Sequence, residues 1–227
     1  MRYDAILIDA DETLFDFAQA ERLAIEETFT ALGICDASAA GVYREINENC
    51  WKAFERGEIT QARLKLRRFE ELFERFPSDA SAQEASDLYI AALAAKPHLL
   101  PGALHVMEEI ARHRPVALVT NGIAKVQRGR IALSPIAPLV SAVVISEEVG
   151  DPKPHPAMFR EALRLLNVSD PRRALMIGDS LTSDMAGALA SGVATCWYNP
   201  ERLNPPKGMA FDHIATEISE FPQYALM

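Results

Sequence analysis

The feature that most restricts this chain is a set of five short, almost unbroken apolar runs. They are Ala5 to Ile8, Val116 to Val119, Ala142 to Ile145, Ala174 to Ile177 and Val193 to Tyr198. Each is rich in β-branched or large aliphatic residues and bounded by turn formers, the pattern of a strand covered on both faces rather than one with a wet side. Between the last four lie segments with helical spacing, Ile123 to Leu133, Ala157 to Leu166 and Thr182 to Ala190, with Gly192 placed to end the last. Strand and helix alternate, so the spacing predicts an α/β chain: a parallel sheet with helices on both sides.

The interval between the first two runs breaks that rhythm. From about Phe15 to Lys96 there is no strand-like run, but apolar residues recur at helical intervals, as in Leu23, Ile25, Phe29 and Leu32, or Leu64, Leu66, Phe69, Leu72 and Phe73. Four helices fit, with breaks at Gly33 to Ser38, Gly57 to Thr60 and Pro77 to Ser81. A further helix, Gly102 to His113, leads into the second strand. The expected division is therefore an α/β core built from residues 1–15 and 97–227, with an all-helical block, 16–96, spliced in after the first strand.

A chain of 227 residues is long enough to fold without disulfides. Cys35, Cys50 and Cys196 are widely separated and lack a C-x-x-C spacing, so they read as reduced packing thiols, not as a disulfide framework or thiolate zinc site. No apolar stretch approaches the roughly 18 residues of a membrane span, and the first residues lack a secretory signal, which points to the cytoplasm. Twenty-three basic against 32 acidic residues give a net charge of −9, which disfavours nucleic-acid polymers and anionic membranes as partners. Any phosphate-bearing ligand must be attracted locally.

Four signals could supply that attraction, each coming after a different apolar run. In open parallel sheets, ligands bind beyond the carboxyl ends of the strands. Asp9 ends the first run, and Asp11 lies two residues on, roughly 6–7 Å along extended chain, so both carboxylates can address one phosphorus-sized centre. One would attack while the other shuttles a proton. Thr120, Asn121 and Gly122 come after the second run and open a helix, offering a hydroxyl, an amide and backbone N–H groups to phosphate oxygens. After the third comes Asp151-Pro152-Lys153-Pro154-His155-Pro156, in which three prolines stiffen the backbone around one cation able to neutralise phosphoryl oxygen and nucleophile together. The fourth run enters Gly178-Asp179 and reaches Asp184. Mg²⁺ takes octahedral oxygen ligands, and Asp9, Asp179 and the main-chain carbonyl of Asp11 can provide them. Asp184 holds Lys153 or a metal-bound water in place, or favours the helix dipole.

Taken singly, each signal has a plain structural reading: acids after a strand cap helices, Thr and Asn before a helix are N-caps, and most lysines are solvated. Four in one fixed order are hard to generate by packing demands. Together, D-x-D-x-T at Asp9 to Thr13, T-N-G at Thr120 to Gly122, K-P at Lys153 and Pro154, and G-D-x-x-x-x-D at Gly178 to Asp184 resemble the haloacid dehalogenase superfamily of phosphohydrolases. The resemblance spans the whole chain. It implies a Rossmann-like three-layer core with an inserted helical cap, Asp9 as nucleophile, Asp11 as general acid and base, Thr120 and Lys153 on the phosphate, and Asp179 on Mg²⁺, with Thr13 and Asp184 supporting. A narrower likeness, carried by Asp9 to Phe15, Gly57 to Thr60, Ile145 to Gly150 and Ala194 to Asn199, is to the YjjG/YfnB group of pyrimidine 5′-nucleotidases. It implies a small phosphomonoester substrate, a nucleoside monophosphate; the chain is separately expected to be a monomer or homodimer.

Other chemistries remain in view. A dehalogenase needs neither a proton-shuttling acid at position 11 nor a strong metal site, so Asp11 argues against it. A sugar-phosphate phosphatase or phosphomutase uses the same two acids. A signalling module that stores phosphate on Asp also combines acids, Mg²⁺, Thr and Lys; an insertion over the acceptor favours turnover instead. The five histidines show no zinc spacing, and His155 reads as a polar loop residue. Trp51, Phe54, Phe69 and Phe73 read as core of the helical block, Phe15 as packing on a substrate base or closing a hinge, and Arg128 and Arg130 as solvated.

Overall fold

The computed structural model describes residues 2–227. Its strands are β1 (Ala5–Ile8), β2 (Val116–Thr120), β3 (Ala142–Ile145), β4 (Ala174–Gly178), β5 (Ala194–Tyr198) and β6 (His213–Ala215). The helices are α1 (Phe17–Leu32), α2 (Ala39–Glu55), α3 (Gln61–Arg75), α4 (Ala82–Ala94), α5 (Ala103–Ala111), α6 (Ala124–Leu133), α7 (Ser146–Val149), α8 (Pro156–Leu165), α9 (Ala186–Ala190) and α10 (Phe221–Ala225). Two units result: Met1–Phe17, His98–Ala124 and Ile131–Met227 form one, and Ala18–Pro97 with Lys125–Arg130 the other.

The first unit is a parallel sheet in the order β3-β2-β1-β4-β5-β6. Every residue of β1 is buried, and alternate side chains enter different cores. Ile6 and Ile8 join Val106, Met107 and Ile110 of α5 with Phe221 of α10, whereas Leu7 joins Met158, Phe159 and Ala162 of α8 with Ala188 of α9. Helices on both faces explain why the strands read as continuous apolar runs. The chain moves outward one way through β1, β2 and β3 and the other way through β4, β5 and β6. The direction reverses between β1 and β4, and such a switch point opens a crevice beyond the strand ends.

β6 has no counterpart among the expected strands. It is three residues long at the sheet edge, with Ile214 exposed, so it lacks the two-sided burial that makes a strand visible in sequence. The segment expected as one helix over Thr182 to Ala190 is also different: Leu181–Met185 form a π turn before α9 begins. Gly187 in α9 lies against Phe159, and a Cβ built there would approach the ring at 2.3 Å and Pro154 Cα at 3.0 Å. Gly187→Ala is expected to destabilise the protein by about 1–3 kcal/mol through overpacking, read as a lower urea midpoint at unchanged slope.

In the second unit, α1 to α4 surround an aromatic centre. The Tyr43 ring lies 5.3 Å from Phe69, 5.4 Å from Tyr89 and 6.1 Å from Phe29. The guanidinium of buried Arg68 stands 4.5 Å over Tyr89 and donates to Asn47, which donates to Glu21. The breaks between these helices are chemically marked: Thr60 caps α3 by accepting from Arg63 N, and Ser81 with Glu84 forms a capping box on α4. Two sequence expectations change. Cys35 is exposed, because it lies in the break after α1 rather than on a helix face. Arg130 is fully buried, its Nε donating to the Lys96 carbonyl at 3.3 Å, so this residue ties α6 to the segment after α4 instead of reaching solvent.

Candidate active site

The residues singled out by sequence gather at the carboxyl ends of β1, β2 and β4, around the switch point. Asp9 leaves β1 with its N–H bonded to the Ile177 carbonyl at 2.9 Å, and is 7% exposed. The chain then turns sharply: Leu14 N and Phe15 N both donate to the Ala10 carbonyl, Glu12 N donates to Phe15 O, and Glu12 takes the left-handed φ of 58°. This tight turn keeps Asp11 and Thr13 beside the strand end.

Lys153 is the hub. Its Nζ donates to Asp9 Oδ1 at 2.5 Å, Asp184 Oδ1 at 2.6 Å and the Val119 carbonyl at 2.7 Å, so all three ammonium protons have acceptors. The side chain is 2% exposed. Its backbone is gripped too: Asn121 Nδ2 donates to Lys153 O at 2.9 Å, and Lys153 N donates to Asn121 Oδ1 at 2.7 Å. Asn121, expected from sequence on the phosphate, is thus brought to the lysine loop, a partner its position before a helix did not reveal. Asn121→Ala is expected to cost about 1–3 kcal/mol by leaving those main-chain groups unpaired, and to lower kcat as Lys153 loses its register. Chemical denaturation and steady-state kinetics check the two effects separately. Thr120 is buried, and its hydroxyl accepts the Gly122 N–H at 3.2 Å.

Asp179 comes directly after β4, its Oδ1 accepting from Thr13 Oγ1 at 3.3 Å. Asp184 is completely buried: Oδ1 faces Lys153 and Oδ2 accepts the Ser180 N–H at 3.1 Å. Of the alternatives open for Asp184 in the sequence, this arrangement matches the one in which it holds Lys153. The π turn makes it possible, because the Ser180 carbonyl accepts both Asp184 N and Met185 N. Gly178 is required beside it, since a Cβ there would lie 2.3 Å from Asp184 Oδ2.

Carboxylate oxygens of Asp9, Asp179 and Asp184 come within 4.8 Å of one another. Burial pushes the Asp9 carboxyl up to about 7, opposed by Lys153 and assisted by Asp184 and Asp11. Asp179 also rises to about 7, from burial and then from the charge of Asp9. Burial likewise raises Asp184, against the pull of Lys153. Burial alone would discharge Lys153, but Asp184 and Asp9 overcome it and hold the ammonium above its usual range. Hard oxygen donors in mutual repulsion, with one ammonium among them, fit a small divalent cation such as Mg²⁺.

Among the described residues no helix is long and apolar enough to cross a membrane. A family model described as haloacid dehalogenase-like hydrolase matches residues 3–192. The pyrimidine 5′-nucleotidase YjjG of Escherichia coli (strain K12) is 33% identical over 228 residues, covering 98% of each chain. The pyrimidine 5′-nucleotidase PynA of Streptococcus pneumoniae is 33% identical over 205 residues, covering 89% of this chain and 86% of its own. Among solved structures, the putative HAD-hydrolase YfnB of Bacillus subtilis, bound to magnesium, superposes with a TM-score of 0.90 at 27% identity over 100% of both chains.

Proposed function

The chain belongs to the haloacid dehalogenase-like hydrolases, and from that premise we propose that it is a Mg²⁺-dependent phosphomonoester hydrolase working through an aspartyl phosphate, with pyrimidine nucleoside 5′-monophosphates as its substrates. The observation that carries the reading is the Lys153 ammonium bridging Asp9 and Asp184 within a cluster that includes Asp179. The names of the two 33%-identical relatives support the substrate class. In this reading residues 1–15 and 97–227 are the catalytic core, and residues 16–96 the cap that selects leaving groups.

Lys153 holds the Asp9 carboxylate through Oδ1 at the end of β1, and in this reading that carboxylate is the nucleophile. It forms a bond to phosphorus as the ester P–O bond breaks, and the departing alkoxide takes the proton of Asp11. Asp11 then removes a proton from water, whose oxygen attacks the same phosphorus. The bond to Asp9 breaks with its electron pair returning to the carboxylate. The Lys153 ammonium, its three N–H groups held by protein acceptors, stabilises the phosphoryl oxygens through its charge and the Thr120 hydroxyl through a hydrogen bond, while Asp184 fixes the lysine and Thr13 steadies Asp179. Asp9, Asp179 and the main-chain carbonyl of Asp11 would hold Mg²⁺, which when bound supplies charge neutralisation on the phosphoryl group.

Phosphate release measured across nucleoside monophosphates and sugar phosphates, with and without Mg²⁺, tests this. Activity is expected only with Mg²⁺, lost on chelation and recovered on adding the ion back, with dUMP and dTMP preferred over purine nucleotides and hexose phosphates. A sugar-biased profile would remove the nucleotide assignment, and no phosphate release from any ester would remove the hydrolase reading.

A further inference from the structure

The run Ala194-Thr195-Cys196-Trp197-Tyr198-Asn199 stands out in the sequence, yet none of its side chains enters the chemistry above. Its alternation sorts it. Cys196 and Tyr198 face one core, the Tyr198 ring meeting Phe221 edge-on at 5.2 Å. Asn199 closes the strand end by pairing with the main chain of Leu203 through both Nδ2 and Oδ1, each at 2.9 Å. Trp197 faces the opposite core, 2% exposed and 5.4 Å from the Phe211 ring. The register pairs Trp197 with Gly178, and the indole Nε1 donates to the Asp179 carbonyl at 3.0 Å.

The chain leaves the sheet at Gly178, so the ladder no longer provides for the carbonyl of Asp179. An indole carries one polar atom, a donor, and in this buried position it is aimed at the Asp179 carbonyl. That carbonyl begins the turn in which Ser180 N meets Asp184 and Ser180 O accepts two N–H groups. The carboxylate of Asp179 and the partner of Lys153 are therefore hung from a peptide that the indole fixes. We propose that Trp197 is a positioning residue that sets Asp179 for Mg²⁺ through the Nε1-to-carbonyl bond. The inference rests on the reading of Asp179 as a Mg²⁺ ligand.

The test is Mg²⁺ binding by calorimetry, with the rise in melting temperature on adding Mg²⁺ as a second readout, for the unaltered protein, Trp197→Phe and Phe211→Leu. Loss of an outer partner of a metal ligand weakens metal binding by about 10–100-fold, and Trp197→Phe is expected in that range. Phe211→Leu, which keeps the indole N–H, is expected to bind as the unaltered protein does. Undiminished Mg²⁺ affinity in Trp197→Phe overturns the proposal, and equal losses in both variants overturn it in favour of packing. If the unaltered protein binds no Mg²⁺, the metal reading itself falls and takes the inference with it, a result distinct from either.

A second measurement does not depend on how Trp197→Phe folds. The chain has two tryptophans, so Trp51→Phe leaves Trp197 as the sole tryptophan, excited selectively at the red edge of indole absorption. Its emission is expected to change along the Mg²⁺ titration with the calorimetric midpoint. Constant emission while calorimetry records binding contradicts the proposal.

Discussion

Asp9→Asn reduces phosphate release by about 10⁴-fold or more and leaves the fold intact, because the substitution removes the attacking oxygen but retains an acceptor for Lys153. Asp9 Oδ1 receives the ammonium at 2.5 Å, and the amide oxygen of an asparagine can receive it in the same place. Relief of crowded negative charge even favours the variant's folded state, since burial and the neighbouring acids already push Asp9 up to about 7. Steady-state kinetics beside thermal melts check both halves. A variant that retains a tenth of its activity would show that another group attacks phosphorus.

Lys153→Met gives the largest loss of stability. It matches the side chain in length but withdraws the charge that Asp9, Asp184 and the Val119 carbonyl all face. Breaking a buried ion pair from one side costs about 3–5 kcal/mol, because the remaining charge keeps its desolvation without compensation. The pH dependence has a definite sign. Asp9 has a folded-state value of about 7, above that of an unfolded aspartate, and Asp184 is raised as well. Without Lys153 both rise further, so in the variant the stability they allow is present below the ordinary carboxylate range and goes on being lost as pH rises past 7, where the unaltered protein has already met the full cost of ionising Asp9. Urea denaturation in the presence of a chelator is expected to show a deficit that is small near pH 4 and grows as pH rises through and beyond 7. A deficit independent of pH would mean that packing, not charge, is what Lys153 supplies.

Most of the sheet was legible because its strands are covered on both sides. Ala5 to Ile8 and Ala142 to Ile145 match the observed strands end for end, and the other three expected strands shift by one residue at one end. The four helices of the insertion were legible from their breaks, where Gly33 and Gly57 adopt positive φ while Thr60 caps α3 and Ser81 caps α4. β6 escaped because a three-residue edge strand has no periodicity to read.

At the site, Asp9, Lys153 and Asp179 were legible because each lies beyond a strand and parallel topology carries all strand ends to one rim. What was not legible is how side chains there serve one another. Asn121 grips the main chain of Lys153 across 32 residues, and Trp197 reaches the Asp179 carbonyl from the neighbouring strand. Both are long-range pairings fixed by register, with no local signature. The same holds for Arg130, whose position on a polar helix read as solvated, yet whose guanidinium meets a carbonyl 34 residues away.

The most direct test is to trap the phosphorylated protein. With substrate and Mg²⁺ present, rapid acid quench and then borohydride reduction convert an acyl phosphate on aspartate to homoserine, and mass spectrometry of the N-terminal peptide locates it. Homoserine at position 9, absent without substrate and absent in Asp9→Asn, is the predicted result. Phosphate released at full rate with Asp9 unmodified, or homoserine at another acid, contradicts the assignment of Asp9 as the group that takes the phosphoryl.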